Sequence, residues 1–109
     1  MERRIEHRFE VWLPVKVDSL KEGIAVTHNA SQGGVLMVAA STLDPGSEVR
    51  ITLRTPDSQE VRELGGRVVR VEENTDDPHG LWPHRLAVEF DQPVPELEWL
   101  LAGLKSPTG

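Results

Sequence analysis

Cysteine is absent from this chain, and aromatic residues make up only 5% of it. Without cysteine there are no disulfides and no thiolate metal ligands. Long hydrophobic runs are missing as well: none approaches the ~20 residues that a membrane-spanning helix needs. The opening Met1-Glu2-Arg3-Arg4-Ile5-Glu6 contains no apolar signal core, so the expected location is cytoplasmic, with no membrane insertion. An excess of positive charge is also lacking. Net charge is −6 and the pI is near 5.1, which argues against a nucleic-acid polymer as partner, because such affinity rests on many phosphate contacts. A small anionic ligand, by contrast, needs only a local cationic pocket.

What is present reads mostly as β-structure. The chain of 109 residues suffices for one domain with a single compact core. Phe9 to Val17 alternates apolar and polar, the period of a half-buried strand, and Pro14 within it implies an edge position or a bulge. Gly23 to His28, Val35 to Ala39, Glu48 to Arg54, Val61 to Val71 and Arg85 to Phe90 read as further strands. Asn29 to Gly34 reads as the turn between the second and third, and Asp44-Pro45-Gly46-Ser47 as another turn. Gly65-Gly66 predicts a bend or bulge in the long fifth strand, and Asn74 to Gly80 a mobile polar loop. After Pro93 and Pro95, Leu97, Leu100, Leu101 and Leu104 recur at helical spacing. The expected fold is all-β, a small six-stranded antiparallel barrel with a C-terminal α-helix. Residues 1–8 form a leader, 9–91 the barrel, 94–104 the helix and 105–109 a tail, in one domain over 1–109.

Two polar clusters carry the chemistry. Arg3, Arg4 and Arg8 precede the first strand. A guanidinium fork matches phosphate oxygens and the O6/N7 edge of guanine, and it also stacks on purines. The same arginines could simply solvate a chain terminus, as charge clusters commonly do. His28-Asn29-Ala30-Ser31-Gln32-Gly33-Gly34 is the second cluster. Asn and Ser bond readily to nearby backbone and the glycines permit positive φ angles, so the segment could leave N–H groups facing a concavity, or be an ordinary strand connection.

Taken together, Arg4-x-x-x-Arg8 and Asn29-x-Ser31-x-x-Gly34 resemble the RxxxR and (D/N)xSxxG motifs of PilZ domains, which bind the bacterial second messenger cyclic di-GMP. The resemblance runs along nearly the whole chain. Leu13-Pro14-Val15, Gly33-Gly34-Val35-Leu36, Gly66-Arg67-Val68-Val69-Arg70 and Ala87-Val88-Glu89-Phe90 are similar to family segments in the same order. It implies a six-stranded barrel that is a bacterial cytoplasmic effector, not an enzyme, with cyclic di-GMP as ligand and no cofactor. By the resemblance, Arg4 and Arg8 contact phosphate and guanine, with Arg3 as a cationic neighbour. Asn29, Ser31 and Gly34 form the opposing floor, Gly33 shares the geometric role, and a downstream protein partner reads the bound state. A nucleotide-independent adaptor acting through protein contacts is the alternative. Ala87 stands where many relatives have glycine, and Glu6 could oppose an anion if it points inward.

Other constellations are weaker. His7, His28, His79 and His84 have no metal-ligand spacing, and Ser31 near His28 lacks a nucleophile elbow, so no metal or catalytic residue is expected. Trp12, Trp82 and Trp99 read as packing anchors, with Trp82 the candidate for partner contact. Glu60, Glu63, Glu72 and Glu73 read as a solvated face.

Overall fold

A computed structural model describes residues 9, 10, 12–54 and 61–95. Seven strand segments follow one another: β1 Phe9–Glu10, β2 Pro14–Val17, β3 Ile24–Ser31, β4 Gly34–Ala39, β5 Glu48–Arg54, β6 Val61–Glu73 and β7 His84–Phe90. All pairings are antiparallel, and both β1 and β2 pair with β3. The two act as halves of one interrupted strand, which leaves six. Pairing continues from β2 to β5, β6, β7 and β4, and β4 pairs with β3, closing the barrel. Closure removes the exposed edges that an open sheet presents. The expected helix over 94–104 and the leader over 1–8 lie outside the described residues, apart from Val94 and Pro95. Among the described residues no helix is long and apolar enough to cross a membrane.

Alternation fills the interior. Val15 and Val17, Ala25 and Ala30, Val35 and Met37, Val49, Ile51 and Leu53, Val68, and Leu86, Val88 and Phe90 are buried in one cluster. Each of the larger side chains stabilises the fold by ~1.5–3 kcal/mol through burial. Pro14 explains the interruption before β2. It lacks a backbone donor, and the ladder is patched beside it: Thr27 N–H donates to the Leu13 carbonyl (3.0 Å), and Leu13 N–H donates to Thr27 Oγ1 (2.9 Å). On the β5 side the register includes only Lys16 and Val17, so Pro14 sits where that flank is unpaired.

Several boundaries differ from expectation. β3 runs through Ser31, so Asn29 and Ser31 are strand residues and the turn shrinks to Gln32–Gly33 between the paired Ser31 and Gly34. Gly65-Gly66 is not a bulge but the place where β6 passes from β5 to β7, Gly66 being paired with both Val49 and Phe90. The irregularity lies further on, between Val68 and Arg70. The segment after β6 is pinned by buried Asn74: its amide donates to the Trp82 carbonyl (2.7 Å), and its Oδ1 accepts from Asp76 N–H (3.3 Å) and Arg85 Nη2 (3.2 Å). This loop therefore has a hydrogen-bonded hub, which its polar composition concealed. Asp44-Pro45-Gly46-Ser47 forms the expected turn, with Gly46 at φ 95° and Ser47 N–H donating to the Asp44 carbonyl (3.1 Å).

Candidate functional site

Two β-bulges build the site. On β3, Thr27 pairs with Met37 and Asn29 with Leu36, leaving His28 as the extra residue. Strict alternation would turn Asn29 inward. The bulge instead puts His28 and Asn29 both on the outer face, between buried Thr27 and buried Ala30. On β6, Val68 pairs with Val88 and Arg70 with Ala87, so Val69 is extra and Val69 and Arg70 both face out. The two bulges fall at one level of the barrel. Asn29 pairs with Leu36, Leu36 with Ala87, and Ala87 with Arg70, giving one outward row across β3, β4, β7 and β6.

Above this row lies a concavity of about 460 Å³. Asn29 and Gly33–Gly34 form one end, Leu36 and Ala87 the floor, and Val69 and Arg70 the other end, with Glu89, the cross-strand partner of Gly34, on the side between them. The concavity thus has an apolar base with polar groups at both ends. Arg70 Nε donates to Glu72 Oε2 at 2.6 Å, an exposed pair two residues apart on one face of β6. Exposed Glu89 has no hydrogen bond or ion pair from its carboxylate among the described residues. At the opposite end, Asn29 Nδ2 donates to His28 Nδ1 (3.2 Å), and the Trp12 ring meets the His28 ring edge-on at 4.7 Å. Trp12 is 61% exposed, so it is a surface residue rather than the packing anchor expected.

The motif residues divide by role. Asn29, Gly33 and Gly34 line the concavity, while Ser31 lies buried behind it, where its Oγ accepts from Gly33 N–H (3.2 Å). The turn is also tied to the end of β7 and the segment after it: Phe90 N–H donates to the Gly33 carbonyl (2.9 Å) and Val94 N–H to the Gln32 carbonyl (2.8 Å). The expectation that Gly33 and Gly34 supply positive φ is corrected, because among the described glycines only Gly23 and Gly46 adopt it. Gly34 is needed for close approach: a Cβ there would collide with the Val88 carbonyl oxygen. Arg3, Arg4 and Arg8 lie outside the described residues. Reading the sequence did not single out Leu36, Val69, Arg70 or Glu89 as site residues. Their signal is the doubled outward positions at the bulges, and only pairing reveals those. Among the described residues no group of three or more His, Asp or Glu side chains could hold a metal ion.

A family model of the PilZ domain matches residues 2–104. No curated protein matches the chain by sequence. Among solved structures, the inhibitor of motility MotI (DgrA) from Bacillus subtilis is similar at 19% identity and TM-score 0.71, over 99% of this chain. The chain spans only 55% of that protein's length. The PilZ domain of CeSA from a cellulose-synthesizing bacterium is 21% identical with TM-score 0.61, covering 92% of this chain and 99% of that one. The PilZ domain of YcgR from Escherichia coli, solved with c-di-GMP, is 17% identical with TM-score 0.63, covering 94% and 88%. At these identities the likeness is one of fold.

Proposed function

The chain belongs to the PilZ domain family, and from that premise we propose that it is a non-catalytic receptor for cyclic di-GMP. The observation that carries this reading is the concavity whose one end is Asn29 and Gly33–Gly34, the motif residues the family resemblance assigns to the nucleotide. In this reading Arg4 and Arg8 bring guanidinium groups to phosphate and guanine, Arg3 adds charge, and the leader orders as the ligand binds. Ser31 acts from behind by holding Gly33. The ordered leader and the barrel rim then present a new surface to a protein partner in the bacterial cytoplasm. A few charge-assisted hydrogen bonds of ~1.5–3 kcal/mol each suffice for useful affinity after ordering costs.

Calorimetry with cyclic di-GMP tests the proposal. The wild type should bind, and Arg8→Ala should bind at least about tenfold more weakly, the loss of one charged contact. A wild type that gives no heat of binding rejects the receptor reading.

A further inference from the structure

The concavity has a second polar end that the motifs leave unused. Asn29 and Arg70 close the same row, three strand spacings apart, or ~14 Å along the sheet. No single purine touches both. Between them the floor is apolar, made by Leu36 and Ala87 and continued by Val69, a surface on which a flat base can lie. At the far end Arg70 stands opposite Ala87, and Glu89 lies two residues further along β7, across from Gly34 on β4, so Arg70 and Glu89 are diagonal outward neighbours.

We propose that Arg70 and Glu89 form a second base-reading subsite, specific for guanine, on the β7–β6 side of the concavity, across Leu36 and Ala87 from Asn29. This rests on the cyclic di-GMP reading above and names what reads the second base of that ligand. Guanine offers acceptors at O6 and N7, which match a guanidinium fork, and donors at N1–H and N2–H₂, which match a carboxylate. Adenine has no N1–H and offers a bare ring nitrogen there, which a carboxylate repels. A carboxylate beside a phosphate-bearing ligand is otherwise unfavourable, so its place in this concavity needs an account. The simplest other account is a cross-strand pair with Arg67, which stands directly opposite Glu89, but the structure forms no such pair among the described residues. Arg70 is held sideways by Glu72, and swinging from that carboxylate to the base brings it over the floor.

Calorimetry compares cyclic di-GMP with the mixed cyclic GMP–AMP dinucleotide, on wild type and on Glu89→Ala, Arg70→Ala and Glu72→Gln. The wild type should prefer cyclic di-GMP at least tenfold. Glu89→Ala should weaken cyclic di-GMP about 10- to 100-fold, the value of one or two charge-assisted hydrogen bonds, while leaving the mixed ligand nearly unchanged. Arg70→Ala should weaken cyclic di-GMP as well, and Glu72→Gln, which frees Arg70, should tighten it. All three positions are on the outer face, so their thermal midpoints should match the wild type. A wild type that binds without discriminating, or a Glu89→Ala protein that binds as well or better with discrimination intact, overturns the second subsite while leaving the receptor reading standing. A wild type that binds neither dinucleotide overturns both.

Discussion

Gly34 shows how much a single residue can settle in this barrel. It is paired with Glu89, and a methyl group in its place would meet the Val88 carbonyl, a backbone atom that cannot rotate away. Gly34→Ala should therefore destabilise the fold by about 3 kcal/mol, read from urea unfolding, by forcing β4 and β7 apart. Gly66 is constrained in the same manner, its added Cβ falling 2.6 Å from the Glu89 carbonyl oxygen. Ser31 is a different case. Its buried hydroxyl holds the Gly33 N–H, so Ser31→Ala should cost about 1 kcal/mol of stability and weaken cyclic di-GMP less than Arg8→Ala does. The reverse order of affinities in calorimetry would mean that Ser31 contacts the ligand more strongly than either arginine role allows. Asn74 is the hub of the β6–β7 connection. Asn74→Ala should cost about 2 kcal/mol, because it strands the Trp82 carbonyl and part of the Arg85 guanidinium, whose Nε is already without a partner among the described residues.

At the scale of the element, the bulges matter most. Strand alternation was legible because Val15, Val17, Val49, Ile51 and Leu53 follow period two, and β5 falls on the residues expected. The bulges were not legible. His28-Asn29 and Val69-Arg70 look like any two consecutive strand residues, and their shared outward direction arises only from the register with β4 and β7. The same ignorance of register made Asn29 and Ser31 look like turn residues, since Asn and Ser favour turns when nothing pairs with them. A deletion experiment checks the bulge directly. Removing His28 restores the regular ladder and leaves Asn29 outside and Ala30 inside, so the variant should unfold cooperatively. Removing Thr52 from regular β5 reverses the faces of one side of the strand and should abolish the cooperative transition in circular dichroism.

For the molecule as a whole, the six-membered ring of strands bears on how an acidic chain would hold the proposed anion site. The chain carries a net charge of −6, and Arg8 immediately precedes in sequence the strand β1, which pairs with β3 at Asn29 and Ala30. In the proposed receptor, local charge rather than overall charge sets the field that the ligand meets. Cyclic di-GMP at 100 times its dissociation constant should stabilise the domain by ~2.7 kcal/mol and raise the thermal midpoint by about 10 °C or more. Arg8→Ala should show a smaller rise at the same ligand concentration. Because one core joins β2 to β7, far-ultraviolet circular dichroism and tryptophan fluorescence should report the same midpoint.

By itself the sequence determined the class of fold, the position of most strands and the two clusters worth weighing, because burial period and turn chemistry are local properties of the chain. Tertiary structure alone decided which outward residues stand side by side. Asn29, Leu36, Ala87 and Arg70 are far apart in sequence and become one row only when four strands pair in one register. The physical reason is that a bulge changes the face of a side chain without changing its identity, and so leaves no mark on composition or spacing.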